Sequence, residues 1–211
     1  MKKQIIVDCD GVLLNWAESF LQYVNYYYPE FVLSTSYPQS YCVGSWFFQS
    51  SDFGYKLIQD FNHSSQFATL APVAGAVKAI ETLRDYNYEF KMVTAIGDDP
   101  EVMKNRQHNL ITEFGHIDDF EIVGTALNIS KRQALQDLNL EGTYYVEDNV
   151  DHAVSGLHVG LKPILINTPQ NTHITIGDSV SNPDLSYGKI PRVSMWSELV
   201  ENVIAGDFPA S

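Results

Sequence analysis

The chain has 211 residues, 45% of them hydrophobic and 12% aromatic, which is enough to bury a substantial core in one large domain or one domain with an inserted subdomain. Its formal net charge of −13 and pI of about 4.7 disfavour binding to duplex DNA or to an anionic membrane, because neutralising phosphates needs clustered lysine and arginine. The sequence contains no apolar run near the ~20 residues of a membrane span and no secretory apolar stretch after its first residues. We therefore expect no membrane association, a cytoplasmic location, and reduced thiols at Cys9 and Cys42.

The first predicted strand ends in two acids. Ile5–Val7 is an apolar β-forming run, and Asp8 and Asp10 follow it one residue apart, with Gly11 able to make a tight turn. Because strand side chains alternate between faces, both carboxylates can point to the same side. Two close carboxylates favour a cation between them, and Mg²⁺ commonly uses one or two carboxylates plus substrate phosphate. The alternative is an ordinary polar turn after a buried strand.

A different kind of segment follows the first strand. Apolar residues recur at helical spacing from Leu13 to Tyr28, which predicts a helix that Pro29 ends. Beyond it the sequence is rich in Ser, Tyr, Phe and Gly, with weak periodicity and several turn signals. We interpret residues 15–69 as a small, mainly helical cap inserted after the first strand.

The cap contains many aromatic residues, most of which we expect to form the cap's own small core. Trp16, Trp46 and Phe47 are candidates for lining an opening above the acids. Flat rings there could stack on a nucleobase, which contributes about 1–3 kcal/mol per base.

From Pro72 onward, helical and strand-like segments alternate. The predicted strands are Tyr88–Thr94, Phe120–Val123, Gly142–Val146 and Pro163–Ile166. The predicted helices are Pro72–Leu83, Asp99–Phe114, Lys131–Leu138, Ala153–Leu157 and Met195–Ile204. Asp99 opens the second of these helices and Ser130 can cap the third, and a long polar loop is predicted over Thr168–Gly188. This alternation predicts an α/β fold with a parallel sheet covered by helices on both faces, formed by residues 1–14 and 70–211.

Polar residues at the ends of separate strands would then meet at one edge of the sheet. Asp8 can act as a nucleophile toward phosphorus, and Asp10 can protonate the leaving oxygen and later activate water. Asp8, the main-chain carbonyl of Asp10, and Asp148 can hold a metal, with Glu147 as a further candidate ligand.

Two further residues complete the candidate site. Thr94 can donate hydrogen bonds to phosphate oxygens, and Lys131 can balance charge on the nucleophile and the transferred group. Alone, Thr94 is more often an ordinary strand-end hydroxyl, Lys131 a solvated residue in a first helical turn, and Glu147–Asp148 a solvated turn. Their order along the chain favours the catalytic interpretation.

These motifs resemble the haloacid dehalogenase (HAD) superfamily of phosphatases. The segment 8–12 is similar to the first motif of that superfamily, Thr94 to the second, Lys131 to the third, and Glu147–Asp148 to the fourth. The resemblance implies a Rossmann-like core with a cap between the first two motifs, Mg²⁺ as cofactor, Asp8 as nucleophile and Asp10 as acid/base. The dehalogenases lack the second acid, so Asp10 favours phosphate chemistry.

The opening segment 8–16 also resembles the 5'(3')-deoxyribonucleotidases and their bacterial and phage relatives, as do segments 70–76 and 195–199. That likeness implies that Trp16 faces the base and that Trp46 and Phe47 pack on the nucleoside. Thr94 and Ala95 are further candidate substrate-binding residues. Ala95 departs from the hydroxyl residue often found there, and Glu147 replaces the first acid of the usual pair.

The sequence therefore predicts a Mg²⁺-dependent phosphomonoesterase acting on a small phosphorylated substrate, in first place a (deoxy)nucleoside monophosphate. One alternative is a sugar phosphate or another small phosphoester as substrate, and another is a member that binds phosphate or a protein partner without turnover. The expected assembly is a monomer or a homodimer.

Overall fold

The computed structural model of the protein describes residues 3–34, 38–115, 120–125, 129–174, 190–206 and 208. Its centre is a six-stranded parallel sheet in the order β3-β2-β1-β4-β5-β6, which confirms the predicted α/β class. The strands are β1 (Lys3–Val7), β2 (Tyr88–Thr94), β3 (Phe120–Gly124), β4 (Tyr144–Glu147), β5 (Lys162–Ile166) and β6 (Arg192–Val193). The helices are α1 (Trp16–Tyr27), α2 (Val43–Trp46), α3 (Ser51–Asn62), α4 (Ala76–Asp85), α5 (Pro100–Phe114), α6 (Arg132–Asp137), α7 (Val150–Leu157) and α8 (Trp196–Ala205), with a 3₁₀ helix over Ser65–Thr69.

Strand β1 lies at the centre of the sheet. Its residues Ile5, Ile6 and Val7 are fully buried, as expected for a parallel strand covered on both faces. It pairs with β2 on one side, where Val7 faces Met92, and with β4 on the other, where Val7 faces Val146. The chain therefore winds outward in both directions from β1, and the crevice beside the carboxyl end of β1 is the usual ligand site of such a sheet.

Most predicted elements are present within one to three residues of their expected ends. Helix α5 has the expected cap, because the Asp99 carboxylate accepts hydrogen bonds from the backbone N–H groups of Glu101 and Val102. The prediction of a helix from Pro72 was wrong at its start. Helix α4 begins at Ala76, and Pro72 instead pairs with Leu14 in a short bridge.

The segment between β1 and α4 is helical, as predicted. Helices α2 and α3 pack backbone against backbone, because a Cβ atom on Gly54 would lie 2.4 Å from the Gly44 nitrogen. The aromatic residues of this segment do not form a separate core, since Phe20, Phe47 and Phe61 belong to the same buried cluster as the sheet residues. The division into a cap over residues 15–69 and a core over the remainder stays a prediction.

The remaining predictions concern the cysteines, membrane-spanning helices and the C-terminal part of the chain. Cys9 and Cys42 are both free, as expected. Among the described helices, none is sufficiently long and apolar to cross a bilayer. Strand β6 was not predicted. The predicted polar loop over Thr168–Gly188 falls largely on residues 175–189, which lie outside the described residues.

Candidate active site

The carboxyl ends of the three central strands open into one cavity of about 180 Å³. Asp8 follows β1, Thr94 ends β2 and Asp148 follows β4, so the sheet order brings the three segments together. Lys131 joins them from the position just before α6. Several separate segments of the chain line the cavity, with the residues Asp8, Asp10, Gly11, Trp16, Ala17, Tyr41, Val43, Trp46, Ile58, Asn62, Thr94, Ala95, Lys131, Asp148, Asn149, His152 and Gln170.

Lys131 is the cation at the centre of the site. Its side chain is fully buried, and its Nζ lies 2.7 Å from Asp8 Oδ1 and 2.7 Å from Glu147 Oε1. Burial alone would lower the pKa of Lys131, but the two carboxylates raise it above its usual value, so the ammonium stays charged. Lys131 is therefore a buried structural and electrostatic element of the site and not a solvated residue of a helical turn.

Glu147 is the most extensively hydrogen-bonded acid of the site. Its Oε1 accepts from Lys131 Nζ (2.7 Å), the Tyr145 hydroxyl (2.9 Å) and His152 Nδ1 (3.2 Å). Its Oε2 accepts from the backbone N–H groups of Asp148 and Asn149, both at 2.7 Å. Burial would raise the pKa of Glu147, but Lys131 and His152 lower it, so the carboxylate is ionised. Five donors leave little capacity for a metal, and Glu147 mainly positions Lys131 and the Asp148 backbone.

Asp148 is held from three directions. Its main-chain carbonyl accepts from the Tyr41 hydroxyl and from Asn171 Nδ2, each at 2.6 Å. Its carboxylate lies against Gly11, where a Cβ atom would come within 2.5 Å of Asp148 Oδ2. Gly11 also has a positive φ of 80°, so glycine is required there by both backbone conformation and space.

The acids around Lys131 carry more negative charge than it can balance. One oxygen each from Asp8, Glu147 and Asp148 lie within 4.8 Å of one another. Burial and the neighbouring Glu147 carboxylate raise the pKa of Asp8 to about 7, and the same causes raise the pKa of Asp148 well above its usual range. Such a cluster of hard oxygen donors fits a divalent cation such as Mg²⁺, with Asp8 and Asp148 as its side-chain ligands.

Asp10 has a different cationic partner. Arg106 of α5 is fully buried, and its Nη2 donates to Asp10 Oδ1 at 2.6 Å. Burial raises the pKa of Asp10, and the guanidinium of Arg106 partly offsets that shift. The Asp10 side chain is thus paired with Arg106 outside the acid cluster, and the Asp10 main-chain carbonyl as a metal ligand stays a prediction.

The other side of the cavity is largely apolar. Trp16 and Trp46 line it with their ring centroids 6.3 Å apart, and Trp16 stacks on Phe20 at 4.6 Å. Asn62 also lines it, and its Oδ1 is buried without a hydrogen-bond donor among the described residues. The structure does not bring Phe47 to this cavity, because that ring packs inside the aromatic cluster.

Thr94 and Ala95 line the cavity at the end of β2, where the sequence placed them. The Thr94 hydroxyl is buried and has no partner among the residues described here, so it is free to bind a ligand oxygen. The other sequence-predicted residues that reach the cavity are Asp8, Asp10, Trp16, Trp46, Lys131 and Asp148.

Sequence reasoning missed several residues of the site. For Arg106 the sequence held one clue, because it lies four residues from both Val102 and Leu110, which are apolar, on the buried face of α5. A charged residue within an apolar helical stripe needs a buried partner. Tyr41 and His152 carried no comparable signal, since nothing local shows that either reaches the site.

Comparison with known proteins gives the same fold. No protein-family model matches the sequence. An uncharacterised 32.4 kDa protein of Enterobacteria phage T4, from the Gp30-rIII intergenic region, is 36% identical over 114 residues. That match covers 52% of this chain and 40% of the phage protein, so the matched region spans less than half the length of the phage protein.

Several solved structures superpose on nearly the whole chain. A predicted phosphatase from Clostridium acetobutylicum matches with a TM-score of 0.64 and 16% identity, over 97% of this chain and 99% of its own. A haloacid dehalogenase-like family hydrolase from Xanthomonas campestris matches at 0.58 and 11%, over 98% and 96%. CbbY from Rhodobacter sphaeroides, solved with xylulose 1,5-bisphosphate, matches at 0.58 and 14%, over 94% and 96%. With identities of 11–16%, these superpositions show a shared fold and nothing beyond it.

Proposed function

We propose that the protein is a Mg²⁺-dependent phosphomonoesterase of the HAD superfamily whose substrate is a (deoxy)nucleoside monophosphate. The observation that carries this proposal is the convergence of Asp8, Thr94, Lys131 and Asp148 on one cavity at the centre of the sheet. The phosphatases among the superposed structures support a small phosphorylated substrate. A cytoplasmic location and a monomeric or homodimeric state remain predictions.

The residues of the site suit a two-step transfer. In the first step a carboxylate oxygen of Asp8 attacks phosphorus, the bond from phosphorus to the leaving oxygen breaks, and Asp10 gives that oxygen a proton. In the second step Asp10 takes a proton from water, which attacks phosphorus and releases phosphate from Asp8. Thr94 and Lys131 hold the phosphate oxygens during both steps.

A divalent cation would assist these residues. Asp8, Asp148 and the main-chain carbonyl of Asp10 would hold it, and Glu147 would orient them from behind. When bound, the cation would offset repulsion between the Asp8 carboxylate and the dianionic phosphate.

The apolar side of the cavity supports a nucleotide as substrate. Trp16 and Trp46 provide ring surface for a base, and base–aromatic stacking contributes about 1–3 kcal/mol per base. The buried Oδ1 of Asn62 needs a donor, which an amino or imino group of a base can supply.

A sugar phosphate or another small phosphoester is the second candidate. Tyr41, His152 and Gln170 also line the cavity, and their polar groups can bind hydroxyl groups. One of the superposed structures, CbbY, was solved with a sugar phosphate, xylulose 1,5-bisphosphate. A member that binds phosphate without turnover is disfavoured, because both acids and both phosphate-binding groups are in place.

The test is a phosphate-release screen with MgCl₂ over nucleoside 5'- and 3'-monophosphates, sugar phosphates and 4-nitrophenyl phosphate. We expect the highest kcat/KM on a nucleotide, and no release by the Asp8→Asn variant. Preference for a sugar phosphate would select the second candidate. Release that persists in Asp8→Asn or in excess chelator would contradict the proposed chemistry.

A further inference from the structure

We infer that Arg106 is a positioning residue for the reaction, which holds the Asp10 carboxylate in place to serve the leaving group. This inference rests on the proposed phosphatase function. Arg106 Nη2 lies 2.6 Å from Asp10 Oδ1, and the arginine side chain is fully buried while that of Asp10 is 24% exposed. One carboxylate oxygen is therefore fixed by the guanidinium, and the other can serve the reaction.

The burial of this guanidinium is not explained by stability alone. Its Nε and Nη1 atoms are buried without hydrogen-bond partners among the described residues. An unsatisfied buried polar group costs free energy, and replacing a buried ion pair by apolar side chains is often neutral or stabilising. The neighbours of Arg106 on the same face of α5, Val102 and Leu110, are apolar and buried, so an apolar residue would suit the position.

The surroundings fix Arg106 and its helix against the 3₁₀ helix and the residue that follows it. The guanidinium lies 4.2 Å from the centre of the Phe67 ring in the 3₁₀ helix. One turn further along α5, Asn109 exchanges two hydrogen bonds with the backbone of Leu70, at 3.0 and 2.9 Å. Helix α5 is thus joined to the segment through which the chain returns to the sheet.

The two acids of the first motif therefore have separate cations. Lys131 pairs with Asp8, and Arg106 pairs with Asp10. This division keeps the Asp10 side chain apart from the cluster formed by Asp8 and Asp148. Without Arg106, the Asp10 carboxylate would lose its fixed direction, and proton delivery to the leaving oxygen would suffer before substrate binding does.

The test compares Arg106→Met, Arg106→Lys, Asp10→Asn and the Arg106→Met/Asp10→Asn double variant. Lys104→Met is the matched control, because Lys104 is an exposed cation on the same helix. Each is assayed on the nucleotide or sugar phosphate that the wild type hydrolyses best, which has a poor alkoxide leaving group, and on 4-nitrophenyl phosphate, whose leaving group needs little protonation.

We expect Arg106→Met to lower kcat/KM on the alkyl ester by about 10²-fold, within the ~10²–10⁴-fold range of general acid–base catalysis. This ratio reports the first step alone, whereas the second step, in which Asp10 activates water, is the same for both substrates. On 4-nitrophenyl phosphate the loss of kcat/KM should be less than about 10-fold, because the acid contributes less. Arg106→Lys should recover part of kcat/KM, and Arg106→Met should cost nothing further in the Asp10→Asn background. If Arg106→Met does not fold, Arg106→Lys and its combination with Asp10→Asn give the same comparison.

Equal losses of kcat/KM on both substrates would overturn the inference while leaving the phosphatase function standing. So would a double variant in which Arg106→Met adds its full loss of kcat/KM to that of Asp10→Asn. A wild-type protein without any turnover would instead overturn the proposed function, and this inference with it.

Discussion

Replacing Glu147 by glutamine tests whether the buried ion-pair network organises the site. The substitution keeps the shape of the side chain but removes its charge. Both carboxylate oxygens accept from donors, three at Oε1 and two at Oε2. Either orientation of the amide would point an NH₂ group at donors, so no rotation of the glutamine restores the network.

The expected cost follows from the loss of one partner in a fully buried pair. Lys131 would keep only Asp8, and removing one member of such a pair costs about 3–5 kcal/mol. For a chain of this size, 1 kcal/mol corresponds to about 2–4 °C in Tm, so Tm should fall by roughly 6–20 °C. Glu141→Gln is the matched control, since Glu141 is exposed, and surface changes cost within about 0.5 kcal/mol.

Thermal and urea unfolding, each followed by circular dichroism, would measure both variants against the wild type. A Glu147→Gln protein as stable as Glu141→Gln would contradict this prediction, because it would mean that the five donors, Lys131 among them, do not depend on the charge of Glu147.

Three further predictions concern the substrate, the metal and pH. Trp16→Ala should raise KM for a nucleotide by about 5- to 150-fold, the equivalent of ~1–3 kcal/mol of stacking, and should raise KM for 4-nitrophenyl phosphate less. Equal changes in the two KM values, measured in steady-state assays, would argue against stacking. Gly11→Ala should weaken Mg²⁺ binding in calorimetry, because the added Cβ would displace Asp148. Gly142 is the control, since it has a similar φ of 79° and open space around it, and Gly142→Ala should bind Mg²⁺ normally. Identical affinities of the two variants would contradict the placement of Asp148. The folded-state pKa values of Asp8 (about 7) and Asp148 are raised, so the protonated forms of both acids stabilise the folded protein. This contribution is complete below the unfolded value of 3.8 and is lost as pH rises toward 7. The metal-free protein should therefore melt higher at pH 5.5 than at 7.5, and an Asp8→Asn/Asp148→Asn variant should lose most of that difference. A metal-free wild type that melts higher at pH 7.5 would contradict the shifts.

The sheet and its active edge were predictable because their signals are local. β2 spans the predicted Tyr88–Thr94, and α5 lies between the predicted Asp99 cap and Gly115. An apolar run followed by acids marks the end of a buried strand, and parallel strands align those ends. The order of strand ends and helix starts along the chain was sufficient to predict that one cavity brings together Asp8, Thr94, Lys131 and Asp148.

The remainder depended on contacts between distant segments. Asp10 and Arg106 are 96 positions apart, and Tyr41 and Asp148 are 107 apart, so no local pattern joins either pair. Phe47 is adjacent to Trp46 in sequence, yet only the Trp46 ring lines the cavity. The packing of α2 on α3 decides which of the two rings faces the cavity. Glu147 was a candidate ligand by its charge, but its five donors give it a positioning role.

The proposed function requires that Asp8, Asp148 and the backbone of Asp10 form one divalent-metal site that serves phosphoryl transfer. The decisive experiment is a titration of MgCl₂ into the wild type, Asp148→Asn and the exposed-site control Glu141→Gln, with calorimetry and phosphate release measured on the same samples. We expect saturable binding whose midpoint matches the onset of activity in the wild type and the control, and loss of both in Asp148→Asn. Unchanged binding and turnover in Asp148→Asn would contradict it.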